Sequence, residues 1–148
     1  MDVTDVTDIT NPVIDPNHAI DRRVLDAHFT DPEAHAIALT AYYSGYPVAY
    51  LTQTAAFFDQ LLAVYPGVLI PRPETECLVS CVPEILAGTR VSIPDYIVDV
   101  GYGSGCIALA LAKQFPKAVI TGFDTNYRAY QTACENKDRY SADTIQFH

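Results

Sequence analysis

One decapeptide constrains the fold more than any other part of the chain: Tyr96-Ile97-Val98-Asp99-Val100-Gly101-Tyr102-Gly103-Ser104-Gly105. Its first half is aromatic or β-branched apart from Asp99, and reads as a buried strand. Its second half has glycine at every second position, which gives a turn able to take positive φ and to let a ligand reach the backbone. Cys106 to Phe115 follows as a helix that is apolar nearly all round, as suits a helix pressed between a sheet and its neighbours. Ala118-Val119-Ile120-Thr121-Gly122-Phe123 reads as the next strand and ends at Asp124. A helix at about Tyr127 to Arg139, with Tyr130, Ala133 and Cys134 on one side, leads to a third strand beginning Thr144-Ile145-Gln146-Phe147. This alternation predicts an α/β fold with a parallel, doubly wound sheet.

Two ligand classes use such a turn. A dinucleotide site wants G-x-G-x-x-G, with the pyrophosphate on the helix N-terminus. Here the sixth position is Cys106, and Asp99 lies two residues before the first glycine. A carboxylate there repels a pyrophosphate but attracts the ammonium of an amino-acid-bearing cofactor such as S-adenosylmethionine. Asp124, at the tip of the second strand, is placed to accept hydrogen bonds from two ribose hydroxyls. The alternative is that both acids cap the helices that follow them.

The 148 residues carry a formal net charge of −9, with Asp+Glu 18 against Lys+Arg 9, so no basic surface for a nucleic-acid backbone is expected. There is no signal-peptide pattern and no membrane-length apolar run, which points to a cytoplasmic protein. Cys77, Cys81, Cys106 and Cys134 lack paired zinc spacing and are expected to be buried small hydrophobes rather than metal ligands. Residues 1–17, with the period-three repeat D-V-T, D-V-T, D-I-T, read as a disordered acidic tail. Residues 18–46 read as a short helical region: one helix capped by Asn17 with Ile20, Val24 and Leu25 inward, and one opened by Asp31-Pro32-Glu33 with Ile37, Ala38, Ala41 and Tyr42 inward. His18, His28 and His35 fall here without partners of ligating type and read as surface or packing residues. Residues 47–73 read as a β-hairpin linker, 48–57 against 61–70 around Asp59-Gln60. Residues 74–148 form the α/β domain, whose first helix carries Leu78, Val79, Val82, Ile85 and Leu86 as a buried stripe, with a kink expected at Pro83.

Three segments, Pro47-Val48-Ala49-Tyr50-Leu51-Thr52, Val68-Leu69-Ile70-Pro71-Arg72-Pro73-Glu74-Thr75-Glu76 and Asp99 through Ala110, resemble the HemK/PrmC family from about residue 45 onward. The L-I-P-R-P-E-T-E stretch is the more specific part, because glycine turns of this kind are widespread in methyltransferases. The family comprises release factor glutamine methyltransferases, which use S-adenosylmethionine to methylate the glutamine amide of a Gly-Gly-Gln motif. The resemblance implies a Rossmann-like methyltransferase fold, a cofactor loop of Gly101, Tyr102, Gly103, Ser104 and Gly105, and Asp124 on the ribose. It also implies a pocket border of Arg72, Pro73, Glu74, Thr75 and Glu76, and a peptide chain release factor as the protein partner.

The chain departs from that family in three places. The family's substrate tetrapeptide Asn-Pro-Pro-Tyr is absent, the only Asn-Pro being Asn11-Pro12 followed by Val13, so no catalytic residue is identified. Tyr102 stands where a smaller residue is usual, its ring expected either against the methionine moiety or out to solvent. The N-terminal helical part is shorter than the family's bundle. Three strands leave the sheet incomplete and one strand edge unpaired. The expectation is a fragment of a longer enzyme; dimerisation through that edge, or a complementing C-terminal half, are the alternatives. The competing functions are a catalytically inactive cofactor-binding fragment, the related ribosomal protein glutamine methyltransferase, and a nucleotide-dependent oxidoreductase, against which the glycine spacing speaks.

Overall fold

The computed structural model describes residues 16–89 and 93–148. Two compact units divide at residue 52, Met1–Thr52 and Gln53–His148. Most of the expected acidic tail lies outside the described residues, as does Asn11-Pro12; its last two positions, Pro16 and Asn17, are already helical.

The first unit holds α1 (Pro16–His28), α2 (Pro32–Tyr43) and α3 (Val48–Thr52). Asp31 caps α2 as its position before Pro32 predicts: its backbone is extended and its carboxylate accepts from Ala34 N–H at 2.8 Å. Leu25, Ala38 and Tyr42 are the core, with Phe29, Leu39, Val48 and Leu51 packed around them. The inward faces are narrower than the periodicity predicts, because a few short helices cannot cover whole stripes: Ile20 and Ile37 are exposed. Residues 48–52, expected as strand, are helical. Pro47 O accepts from Tyr50 and Leu51 N–H, and burial of Val48 and Leu51 beside α1 and α2 overrides the β preference of Val, Tyr and Thr.

In the second unit the hairpin is β1 (Thr54–Phe57) against β2 (Gln60–Ala63), antiparallel, with Thr54 opposite Ala63 and Phe57 opposite Gln60. It is shorter than 48–57 against 61–70 at both outer ends. The chain leaves the ladder after Val64, whose N–H still reaches Gln53 O, and turns at Tyr65-Pro66-Gly67-Val68, with Gly67 at φ 94° and Pro66 unable to donate. Helix α4 (Pro73–Ala87) starts on its proline and runs through Pro83 to the Gly88 cap. Val79 is its fully buried residue, with Val82 and Leu86 beside it; Leu78 and Ile85 are exposed, 61% and 63%, contrary to the expected stripe. Cys77 and Cys81 are exposed as well, not buried.

The remaining elements are β3 (Tyr96–Val100), α5 (Cys106–Gln114), β4 (Val119–Phe123), α6 (Tyr127–Arg139) and β5 (Ile145–Phe147). The strands pair in parallel in the order β3-β4-β5, with Asp99 opposite Gly122 and Gly122 opposite Phe147. This is part of a Rossmann-like sheet, as the βαβ pattern predicts. The core sits where Leu109, Ala133, Ile120 and Ile145 meet. On β3, Tyr96, Val98 and Val100 share the opposite face and are 78%, 62% and 80% exposed. Among the described residues β3 pairs with β4 alone.

Candidate functional site

The glycine turn takes the backbone that only its composition allows: φ is 78° at Gly101, 56° at Gly103 and 79° at Gly105. Its two flanks differ. A Cβ on Gly101 would meet nothing within 4 Å and one on Gly103 only Val68 Cγ1 at 4.0 Å, so this side is open to a ligand. At Gly105 a Cβ would lie 3.0 Å from Phe147 Cζ and 3.3 Å from Ala133 Cβ, so this side is closed by β5 and α6. Gly101 N–H donates to Phe123 O at 2.7 Å and Gly105 N–H to Tyr102 O at 2.8 Å, which fixes the ends of the turn.

Both predicted acids are here. Asp124 Oδ2 accepts from Gly103 N–H at 3.0 Å, and Oδ1 from Asn126 N–H at 2.9 Å. Asp99 is buried near the C-terminal end of β3, and its Oδ2 has no partner. Burial pushes the Asp99 carboxyl above its ordinary range, and the nearby charge of Asp124 adds to that. Neither acid is a helix N-cap: Gly105 stands there for α5 and Asn126 for α6, its Oδ1 accepting from Arg128 N–H, while Asp124 bonds the Asn126 N–H just before that helix.

Tyr102 takes neither expected position. Its ring turns inward, 3% exposed, against Phe147 with ring centroids 4.5 Å apart, and its hydroxyl donates to His148 O at 3.4 Å. Burial, then the charge of Asp124, pushes its phenol up to about 12. Ser104 is also buried, its Oγ unpartnered, beside the Cys106 thiol, which burial raises.

The segment preceding α4 reaches the turn through Gly67 and Val68: Gly67 O accepts from Asn126 Nδ2 at 2.8 Å, and Val68 is buried next to Gly103. The expected pocket border, Arg72 to Glu76, follows in the chain. Arg72, Pro73 and Glu74 are exposed at the start of α4, Thr75 N–H bonds to Arg72 O, and Glu76 Oε1 accepts from Phe58 N–H at 2.8 Å in the hairpin turn. A cavity of about 470 Å³ lies at the other end of α5, between Gln60, Lys113, Tyr140 and Asp143, and includes none of the predicted site residues. Among the described residues no three His, Cys, Asp or Glu side chains gather as a metal site.

One residue at the site was not anticipated. Asn136, fully buried, donates from Nδ2 to Ser104 O at 3.0 Å. Its position was the available signal: it follows Ala129, Thr132 and Ala133 along the buried face of α6.

Residues 73–148, which contain the turn and both acids, match the model of the methyltransferase small domain. The chain belongs to this methyltransferase family. It is similar to the release factor glutamine methyltransferase of Koribacter versatilis, 45% identical over 98 residues that cover 66% of this chain and 34% of the relative. It is similar also to those of Synechocystis sp., 42% identical over 105 residues (70% and 35%), and Vibrio cholerae, 38% identical over 104 (70% and 35%). The chain spans about a third of the length of these curated relatives. Among solved structures, the precorrin-6y C5,15-methyltransferase of Geobacter metallireducens aligns with 59% of this chain and 42% of its own at 15% identity, TM-score 0.46. Within the methyltransferase small domain of this chain, no helix among the described residues is long and apolar enough to cross a membrane.

Proposed function

We propose that this chain is the cofactor-binding part of an S-adenosylmethionine-dependent protein methyltransferase that acts on N5 of the glutamine side chain in the Gly-Gly-Gln motif of peptide chain release factors, in the cytoplasm. The observation that carries the cofactor assignment is Asp99 Oδ2, a buried carboxylate oxygen without a partner, on the residue two positions before a glycine turn whose outer side is open. A buried, unpaired acceptor is costly until a donor reaches it, and a cationic N–H donor suits a carboxylate best. The α-ammonium of S-adenosylmethionine is such a donor. A pyrophosphate would instead bring negative charge beside Asp99 and Asp124.

The other residues fit the same ligand. Each Asp124 oxygen accepts one backbone N–H, and a carboxylate has about four lone-pair sites, so room remains for two ribose hydroxyls. When bound, the cofactor supplies an electrophilic methyl group. The residues of this chain bind and orient it: Asp99 the amino-acid end, Gly101 and Gly103 the backbone floor, Asp124 the ribose. The acceptor amide is a poor nucleophile, its lone pair being shared with the carbonyl, and needs groups that align it. The Asn-Pro-Pro-Tyr sequence that the resemblance assigns to this task is not in these residues. Methylation of a release factor by this chain alone is therefore expected to be slight. The names of the relatives support the release factor as substrate.

The test is calorimetric titration of the 148-residue chain with S-adenosylmethionine, with Asp124→Ala as control and NAD as rival ligand. Saturable binding that is lost in the variant supports the assignment. A folded chain that ignores S-adenosylmethionine, or that takes NAD in preference, overturns it.

A further inference from the structure

Asn136 joins two elements that are remote from it and from each other in sequence. Its Oδ1 accepts from Ala63 N–H at 2.7 Å, and its Nδ2 donates to Ala63 O and to Ser104 O, both at 3.0 Å. Ala63 pairs on its other edge with Thr54, so the Asn136 amide stands where a third strand of the hairpin sheet would be. Ser104 belongs to the glycine turn. The peptide linking Ser104 to Gly105 is thereby held at both ends, its carbonyl by Asn136 and its N–H by Tyr102 O at 2.8 Å.

The chemistry of this clamp is specific. It needs one acceptor and two donors on a single planar group, which an amide side chain provides and a carboxylate or hydroxyl does not. Asn136 is 0% exposed and Ser104 2%, so bulk water does not replace a lost partner. Nearer the hairpin turn the same β2 edge is served by Tyr140, whose hydroxyl accepts from Leu61 N–H at 2.7 Å and donates to Leu61 O at 3.0 Å. Tyr140 thus seats the hairpin on α6 through Leu61, whereas Asn136 adds the bond to the turn.

We propose that Asn136 is a positioning residue for the cofactor loop: it draws the Ser104 carbonyl into the interior, sets the glycine turn in its binding geometry, and makes the seating of β2 a condition of that geometry. The part of this that concerns cofactor affinity rests on the function proposed above; the part that concerns the turn does not.

The full chain is compared with Asn136→Asp and Tyr140→Phe in two measurements: amide hydrogen exchange in the absence of ligand, and affinity for S-adenosylmethionine. Asn136→Asp keeps the shape and one acceptor but loses both donors. It is expected to speed exchange at Gly105 by about tenfold beyond any change at the core amide of Ile120, and to weaken the cofactor by a similar factor. Tyr140→Phe is expected to lower stability while leaving the Gly105-to-Ile120 exchange ratio and the affinity close to wild type. Exchange at Gly105 that rises only in step with Ile120 in Asn136→Asp overturns the proposal. A wild-type chain that binds no cofactor sinks the cofactor assignment, and the exchange ratio still decides the role of Asn136. If Asn136→Asp does not fold, Asn136→Ser, with one donor and no charge, takes its place under the same criteria.

Discussion

Tyr102 and Gly122 fill one space between them. A Cβ on Gly122 would stand 2.7 Å from Tyr102 Cδ1 and 2.7 Å from Phe147 Cδ1. Neither contact involves the far end of a flexible chain, since both rings are buried and pack on each other. Gly122→Ala is therefore expected to destabilise the chain by about 2 kcal/mol through overpacking. Urea unfolding checks this, and a midpoint equal to wild type would show that the rings move aside at no cost.

Replacing Tyr102 separates the roles of its ring and its hydroxyl. The hydroxyl bond to His148 O is long, 3.4 Å, so Tyr102→Phe is expected to cost no more than about 1 kcal/mol. Tyr102→Ala empties the space beside Phe147 and is expected to cost about 3 kcal/mol. Thermal melts of the two variants test the ranking.

The raised phenol of Tyr102 has a spectroscopic sign. Its folded pKa of about 12 lies above the ordinary tyrosine value because burial disfavours the phenolate. The stability it contributes is complete below about pH 10 and is lost as pH rises through 12. An ultraviolet titration of the wild type minus Tyr102→Phe should show one phenol ionising near 12. A difference curve centred at the ordinary tyrosine pKa would contradict the buried placement.

Asp99 should give a pH signature of the same sense in the carboxylate range. Its folded pKa is raised, by burial first, so its stability contribution is present at acid pH and is lost as pH rises through the raised value. Asp26, hydrogen-bonded by Arg22, and Asp59, hydrogen-bonded by Lys113, are lowered, and what they contribute is lost as pH falls. A difference between variants isolates Asp99 from this sum. Asp99→Asn is expected to be more stable than wild type at neutral pH, with the gap closing below about pH 4, and to lose cofactor affinity. Denaturant melts across that range provide the check; a gap independent of pH would refute it.

In the first unit, Asp31→Ala removes the carboxylate that satisfies Ala34 N–H and is expected to cost about 1 kcal/mol. Loss of α2 helicity on warming, followed by circular dichroism, is the measurement.

How much of this was legible in the residues differs from element to element. Helix α6 ran from Tyr127 to Arg139 as the pattern predicted, because Asp124 to Asn126 mark its start and its polar and apolar residues alternate at helical spacing. Residues 48–52 were misread because Val, Tyr and Thr favour strands locally, while the helix is decided by what Val48 and Leu51 pack against. At the site, glycines and acids declared themselves by spacing. The inward ring of Tyr102 and the clamp of Asn136 did not, since each depends on partners some 20 to 70 residues away. The bond from Phe58 N–H of the hairpin turn to Glu76 was likewise hidden.

Short-range pattern was enough to show a strand running into a positive-φ turn and then a helix, with Asp99 just before that turn and Asp124 at the tip of the next strand. Those features follow from glycine's freedom and from short-range periodicity, which act over a few residues. Which polar groups were left unpaired emerged only when these elements packed together. Asp99 Oδ2 has no partner while Ser104 O has Asn136, a difference set by where α5 and α6 settle on the sheet. Hydrogen-bond satisfaction in a packed interior depends on every element that reaches it, and no local pattern carries that information.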